Sequence, residues 1–253
     1  MSPPLVRAGG SFGVFRLMRI VIGRWVGALS AVALGLAVGA GPAIAAGGYS
    51  LFGDATLVHP GNNSATAVQL RSAGTSYGGI DFSIPAGTTF ADIQNLATDY
   101  KFTAGSCGGG APRFQINIDG HNAFVYIGPP PNYTNCPQNV WLNTANLATP
   151  VSFVDTSKLP GGTFYDAFAA ADLKYGTHIV TGIQLVTDGA WAVGGNQTVL
   201  VDNVMINSAT YAFESAQSCK DGGWQQFEGP PGPFKNQGDC VSYFASGGKS
   251  SAG

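Results

Sequence analysis

The sequence predicts an all-β sandwich with one or two short helices, followed by a small disulfide-closed appendix. Three observations carry that prediction. Apolar and polar residues alternate over short runs, Gly-rich turns separate the runs, and strand-like segments do not alternate regularly with helix-like ones.

The sandwich is expected over residues 47–208. Residues 67–71 alternate, as do residues 79–84 ahead of the Pro85-Ala86-Gly87 turn. Residues 113–119 alternate again, and the pattern resumes at 123–127 after Gly120-His121-Asn122. That pair reads as a hairpin, because Asp-Gly readily supplies the positive φ angles of a tight turn. Parity groups Tyr126 with Phe124, an assignment to the core face. Later strands are expected over 151–154, 178–187 and 198–206. Two helical pieces interrupt them. Thr89-Phe90-Ala91-Asp92 reads as a capped start that runs a turn or two and ends before Tyr100. Thr163-Phe164-Tyr165-Asp166 repeats the logic ahead of 167–174, with Phe164, Phe168 and Ala171 on one face and Gly176 as the stop.

Residues 18–46 have the pattern of an export signal, with Arg19 and Arg24 before an apolar run and Ala43-Ile44-Ala45 as a small-residue cleavage site. Met18 stands where such a segment would begin and is an alternative start. Gly39, Gly41 and Pro42 break the apolar run, which argues against a membrane anchor; no membrane association is expected once the signal is cleaved. The four arginines from Arg7 to Arg24 lie in this stretch, and every acid lies after it. From residue 47 onward, six Lys and two Arg face twelve Asp and two Glu, a net charge of −6. Nucleic acids and anionic membrane surfaces are therefore poor partners.

Cys107, Cys136, Cys219 and Cys240 form an even set in a chain expected outside the cell, and two disulfides follow. Three pairings are open. The simplest joins Cys107 to Cys136 and Cys219 to Cys240, each pair within one sequence region. Loops of that length stabilise by about 3.5 kcal/mol each on a chain-entropy account. Residues 209–245 are poor in aliphatics and carry their own cysteine pair, so they read as a small disulfide module, with a frayed tail over 246–253.

Several stretches carry a family resemblance. They are Leu51-Phe52-Gly53-Asp54, Ala97-Thr98-Asp99-Tyr100-Lys101-Phe102, Cys107-Gly108-Gly109-Gly110-Ala111-Pro112-Arg113-Phe114, Gly162-Thr163-Phe164-Tyr165-Asp166 and Val201-Asp202-Asn203-Val204. Together they resemble secreted actinobacterial proteins with a jelly-roll domain like carbohydrate-binding modules. The tail, Cys219-Lys220-Asp221-Gly222-Gly223-Trp224 with Phe234-Lys235-Asn236-Gln237-Gly238-Asp239-Cys240, resembles a two-cysteine module at the ends of exported actinobacterial proteins. The resemblance covers most of residues 49–245. It implies export and a jelly-roll fold, and it supplies no reaction.

Asp202 shares strand parity with Leu200, Val204 and Ile206, and a carboxylate in such company needs a partner. Jelly-roll carbohydrate-binding modules often place an acid here to hold a structural Ca²⁺, and Asp54 is the matching acid near the N-terminal strand. The resemblance thus implies a calcium site at Asp54 and Asp202. The alternative is a carboxylate held by backbone N–H groups or a lysine.

Sugar binding needs an aromatic platform with polar groups at its rim. Tyr77, Tyr126, Tyr133, Trp141 and Trp191 are the candidates, with a place on the core face as the alternative for Tyr126, and with Tyr133 and Trp141 in or beside a proline-rich loop tethered through Cys136. Packing of these rings over loop backbone is the rival explanation. Arg113 opens a strand and is a candidate for gripping ligand hydroxyls or a carboxylate, or else for a structural pair with Asp99 or Asp119. Gly108-Gly109-Gly110 is no phosphate loop, since no Lys-Ser/Thr follows and a strand comes next.

Catalysis finds little support. The glutamates fall in or beside the appendix, the histidines are scattered, and HExxH does not occur. Asp81/Asp99 and Asp119/Asp155 remain as carboxylate pairs whose separation a sequence does not reveal. The expectation is a secreted, non-catalytic protein that binds polysaccharide or cell-wall glycan. One rival is a surface or matrix interaction protein whose appendix offers Lys220, Trp224, Phe227 and Phe234 to a protein partner. The other is a carbohydrate-active hydrolase or lyase.

Overall fold

A computed structural model describes residues 48–211, 213–227 and 232–246. The export pattern of residues 18–46 lies outside these. In chain order the first strands are β1 (Tyr49–Gly53), β2 (Ala55–Val58), β3 (Ala67–Ala73), β4 (Gly78–Phe82), β5 (Leu96–Ala104), β6 (Arg113–Ile118) and β7 (His121–Tyr126). Then come β8 (Leu142–Asn143), β9 (Phe153–Val154), β10 (Asp166–Ala167), β11 (Val180–Thr187), β12 (Asn196–Ile206) and β13 (Ala209–Tyr211). The helices are α1 (Phe168–Tyr175) and α2 (Gln237–Ala245). None of the described helices is long and apolar enough to cross a membrane.

Eleven of these strands build two antiparallel sheets, and β9 and β10 pair separately. One has the order β1-β4-β11-β6-β7; the other has the order β2-β3-β12-β5-β8, with β13 beside β12. The chain passes repeatedly between them, from β4 to β5 to β6 and from β11 to β12, which makes a jelly-roll sandwich. Ile80, Phe82, Phe114, Ile116, Ile183 and Leu185 point inward from the first sheet and meet Val68, Leu70, Tyr100, Phe102, Val199 and Val201 of the second. Each large side chain buried there contributes about 1.5–3 kcal/mol. Tyr211 and Phe213 also pack into this core, so the sandwich continues past residue 208.

Both disulfides join the neighbouring cysteines, Cys107–Cys136 and Cys219–Cys240. The β6–β7 turn has φ 52° at Asp119 and 77° at Gly120, as the Asp-Gly pair predicts.

One local reading stands and two change. Thr89 and Asp92 do form a reciprocal cap, in which the Asp92 carboxylate accepts from the Thr89 amide at 2.8 Å. It supports only the single 3-10 turn Phe90–Asp92, and the next residues enter the nine-residue strand β5. Tyr100 and Phe102 then alternate with half-exposed or polar neighbours into the core, which helical spacing would not allow. The second helix starts at Phe168, because Tyr165 takes φ 57° and Asp166 pairs with Val154 in a short ladder. Phe168 and Ala171 are buried, whereas Phe164 is 62% exposed.

The appendix has a core of its own. Phe227 and Phe234 are buried around the Cys219–Cys240 bridge, with Trp224, Val241, Tyr243 and Phe244 packed on them. Of the residues expected to form an exposed anchor, Lys220 is exposed and both phenylalanines are inside. Ala65 from the sandwich completes this cluster. The join is polar at its rim: the Ala65 amide donates to Glu214 Oε1 at 3.1 Å and the Thr66 hydroxyl to Ser218 at 2.9 Å.

Candidate functional site

The first sheet turns its apolar face to the core, and its other face carries the chemistry. Strand registers align the outward residues into rows. One row runs Ser50, Asp81, Gln184, Gln115, Phe124 across all five strands. The adjacent row runs Phe52, Gly79, Val186, Arg113, Tyr126.

Polar side chains in the centre are joined to one another. Arg113 donates to the Gln115 Oε1 from Nε at 3.1 Å and from Nη2 at 2.8 Å. Gln115 donates to Gln184 at 2.8 Å, and Gln184 donates to Asp81 Oδ1. Arg113 also forks onto Asp188, with Nη1 at 2.6 Å and Nη2 at 2.8 Å, and reaches the Gly110 carbonyl at 3.0 Å. Its guanidinium lies 4.9 Å from the centre of the Phe124 ring.

Aromatic rings flank that centre. On the β1 side, Phe52 lies over Gly79; a Cβ there would stand 2.2 Å from Phe52 Cζ, so only glycine admits the ring in this pose. Tyr77 stands beside it, ring centres 6.2 Å apart. On the β7 side, Tyr126 meets Tyr133 at 5.4 Å and Tyr165 at 6.5 Å, and Tyr165 meets Phe153 and Phe164. Asp155 holds this cluster by accepting from the Tyr126 hydroxyl, while its backbone exchanges hydrogen bonds with Phe124 at 2.8 and 2.9 Å. Burial, reinforced by the bond to Asp155, raises the Tyr126 hydroxyl above its usual pKa. Trp191, 75% exposed, rests on the glycine turn: a Cβ on Gly109 would come within 2.9 Å of it, and one on Gly110 within 3.1 Å of Tyr126.

The candidates from the sequence are thus divided. Tyr77, Tyr133 and Trp191 lie on or beside this face, although Tyr133, at 9% exposure, serves as backing for Tyr126 and Tyr165. Trp141 precedes β8 on the other sheet, under the Lys101 ammonium at 4.9 Å, and does not join Tyr133. Arg113 pairs with Asp188, not with Asp99 or Asp119, and spends its donors within the protein. Tyr126 and Phe124 face outward; Ala123 and Val125 supply the core side of β7. The register with β6 decides this, since Phe124 is paired with the outward Gln115. That register also marks Gln115, Gln184 and Asp81, which ring-seeking alone overlooks, while Phe153 lies in the two-residue strand β9 and Phe164 and Tyr165 precede β10.

The acids sort similarly. Asp81 and Asp99 lie on different sheets, Asp119 sits at the hairpin tip against His178, and Asp155 binds Tyr126, so neither carboxylate pair is assembled. Asp54 pairs with Arg71 at 3.1 Å, level with Thr198. Asp202 lies four residues further along β12, about 13 Å away. Its carboxylate accepts from the amides of Asn62 at 2.8 Å and Asn203 at 2.7 Å and from the Ser64 hydroxyl. Those partners are donors, which suit a lone carboxylate and not the oxygen shell of a cation. Burial against them pushes the Asp202 pKa up to about 7. No group of three or more metal-ligating side chains forms among the described residues.

No protein-family model and no curated protein matches this sequence. Among solved structures, the chain is similar to the family 11 carbohydrate-binding module of the cellulosomal cellulase Lic26A-Cel5E of Clostridium thermocellum. The identity is 16%, with 65% of this chain and 89% of that chain covered and a TM-score of 0.36. A solution structure of CtCBM11 gives 16% identity, 64% and 88% coverage, and a TM-score of 0.37. Likeness this distant carries no argument about the ligand.

Proposed function

We propose that this protein is an exported, non-catalytic module that binds polysaccharide along the outward face of the five-stranded sheet. The observation that carries the reading is the arrangement of that face: a joined polar row with an aromatic ring packed on the sheet at one end and an aromatic cluster at the other. Sugar rings present hydroxyls at their edges and apolar C–H faces above and below, so a glycan chain needs both kinds of surface. Phe52 and Tyr126 are separated by four inter-strand steps, about 19 Å, which spans several sugar rings. The platform is preorganised by the sheet and by Asp155, which lowers the ordering cost of binding. Two disulfides and the 18–46 pattern support export to an oxidising compartment.

The test is retention of the oxidised protein on insoluble β-glucan, xylan, mannan, chitin and purified cell wall. At least one should be bound saturably, and Tyr165→Ala should weaken that binding about tenfold, the loss of one well-buried ring contact. A folded protein that none of these materials retains would sink the reading.

A further inference from the structure

The chain of side chains across the sheet centre has a direction. Arg113 only donates and a carboxylate only accepts, so the two ends fix which way both intervening amides point. From Arg113 through Gln115 and Gln184 to Asp81, each link donates toward Asp81. The orientation of both glutamines therefore follows from the charges that bracket them.

This order decides what the row offers a ligand. The five N–H groups of Arg113 meet five acceptor contacts, on Gln115 twice, Asp188 twice and Gly110 once. The guanidinium is consumed, and its charge is balanced by Asp188. Gln115 is nearly covered, so Gln184 and Asp81 present the reachable atoms. Gln184 keeps one N–H beyond its bond to Asp81, and the second carboxylate oxygen of Asp81 has no partner among the described residues. Along β1, β4, β11, β6 and β7, the acidic and basic side chains apart from His121 are Asp81 and Arg113. With Arg113 neutralised, Asp81 sets the sign of the row.

We propose that the Arg113–Gln115–Gln184–Asp81 chain is the polar subsite of this face and selects neutral, hydroxyl-rich polysaccharides over carboxylated ones, with Asp81 as the discriminating residue. The proposal rests on the glycan-binding reading of the same face. A neutral sugar edge both donates and accepts, so one hydroxyl gives its proton to Asp81 and a neighbour accepts from Gln184. A uronate or carboxymethyl group brings a second negative charge against Asp81 and finds no free cation. At a few ångströms and near-surface screening, that repulsion weakens binding about tenfold or more.

The experiment compares affinity electrophoresis and calorimetry with soluble β-1,3-glucan, hydroxyethylcellulose, xylan and mannan against polygalacturonate, alginate, carboxymethylcellulose and C6-oxidised β-1,3-glucan. Wild type should bind its best neutral polymer at least tenfold more tightly than any anionic one, with a gap that narrows in 1 M salt. Asp81→Asn keeps an acceptor for Gln184 and removes the charge, so it should shrink the gap to about twofold. An anionic polymer bound as tightly as the neutral ones, or a gap unchanged in Asp81→Asn, overturns the selection while leaving glycan binding standing. Retention of neither class, by folded protein, overturns both.

Discussion

A lysine at position 113 would keep the charge of Arg113 and lose its fork. It could reach Asp188 or Gln115 but not both, and it would leave the Gly110 carbonyl and the Phe124 ring without their partner. Arg113→Lys should therefore lower stability by about 1–3 kcal/mol in chemical denaturation. It should also weaken polysaccharide binding, because the amides of Gln115 and Gln184 are no longer pinned. A variant equal to wild type in both measurements would show that the fork positions nothing. The sequence shows Arg113 as one of two arginines after residue 47, and pairing of some kind is foreseeable. Its partner is not. Asp188 follows β11, which becomes the neighbour of β6 only through non-consecutive strand order, a tertiary fact with no local trace. Tyr126 is more instructive. Both parities of β7 are apolar, so alternation within that strand is uninformative, yet β6 alternates cleanly and the Asp119-Gly120 turn sets the register between them. Reading the pair together places Phe124 opposite Gln115, outside the core.

Elements outside the sheet face owe their places to buried carboxylates. The loop over residues 59–66 crosses the second sheet, where Asp202 holds Asn62 and Ser64 and Glu214 holds the Ala65 amide. Burial raises both acids above their usual range, Asp202 to about 7. The charged neighbours carry the same sign: Asp99 is reached through the Asn62 and Asn203 amides, and among the described residues no lysine or arginine pairs with Asp202. An unfolded aspartate titrates near 3.9, so between about pH 4 and pH 7 the folded state holds a proton that the unfolded state has released. Stability from this group is thus complete below about pH 4, falls as pH rises through about 7, and is level above. The span is a few kcal/mol. Thermal melts across that window should show a decline in wild type that Asp202→Asn largely removes, and identical slopes in the two proteins would contradict the assignment. Strand parity exposes Asp202 as an acid that needs partners. It does not reveal that the partners include amide and hydroxyl donors from a loop some 140 residues away in sequence, nor that the register of β3 and β12 sets Asp54 and Asp202 apart.

At the scale of the whole molecule, the two outer faces of the sandwich are unlike. The second sheet is crossed by the 59–66 loop that docks the disulfide appendix, and Trp141, half-buried beside β8, sits under Lys101. The first sheet leaves its outward face to the polar row and its rings. The all-β class, the hairpin and both disulfides are legible in the sequence because they rest on local alternation, turn chemistry and cysteine spacing. Which face is free is not, since it depends on how β1, β4, β11, β6 and β7 come together from distant segments. The most direct test of the account is a comparison of binding isotherms for Phe52→Ala and Trp141→Ala on whichever polysaccharide wild type retains. Phe52→Ala, on the first sheet, should weaken binding about tenfold, and Trp141→Ala, on the second, should stay within twofold of wild type. Loss of binding in Trp141→Ala with Phe52→Ala unaffected would place the ligand on the opposite face and contradict the account.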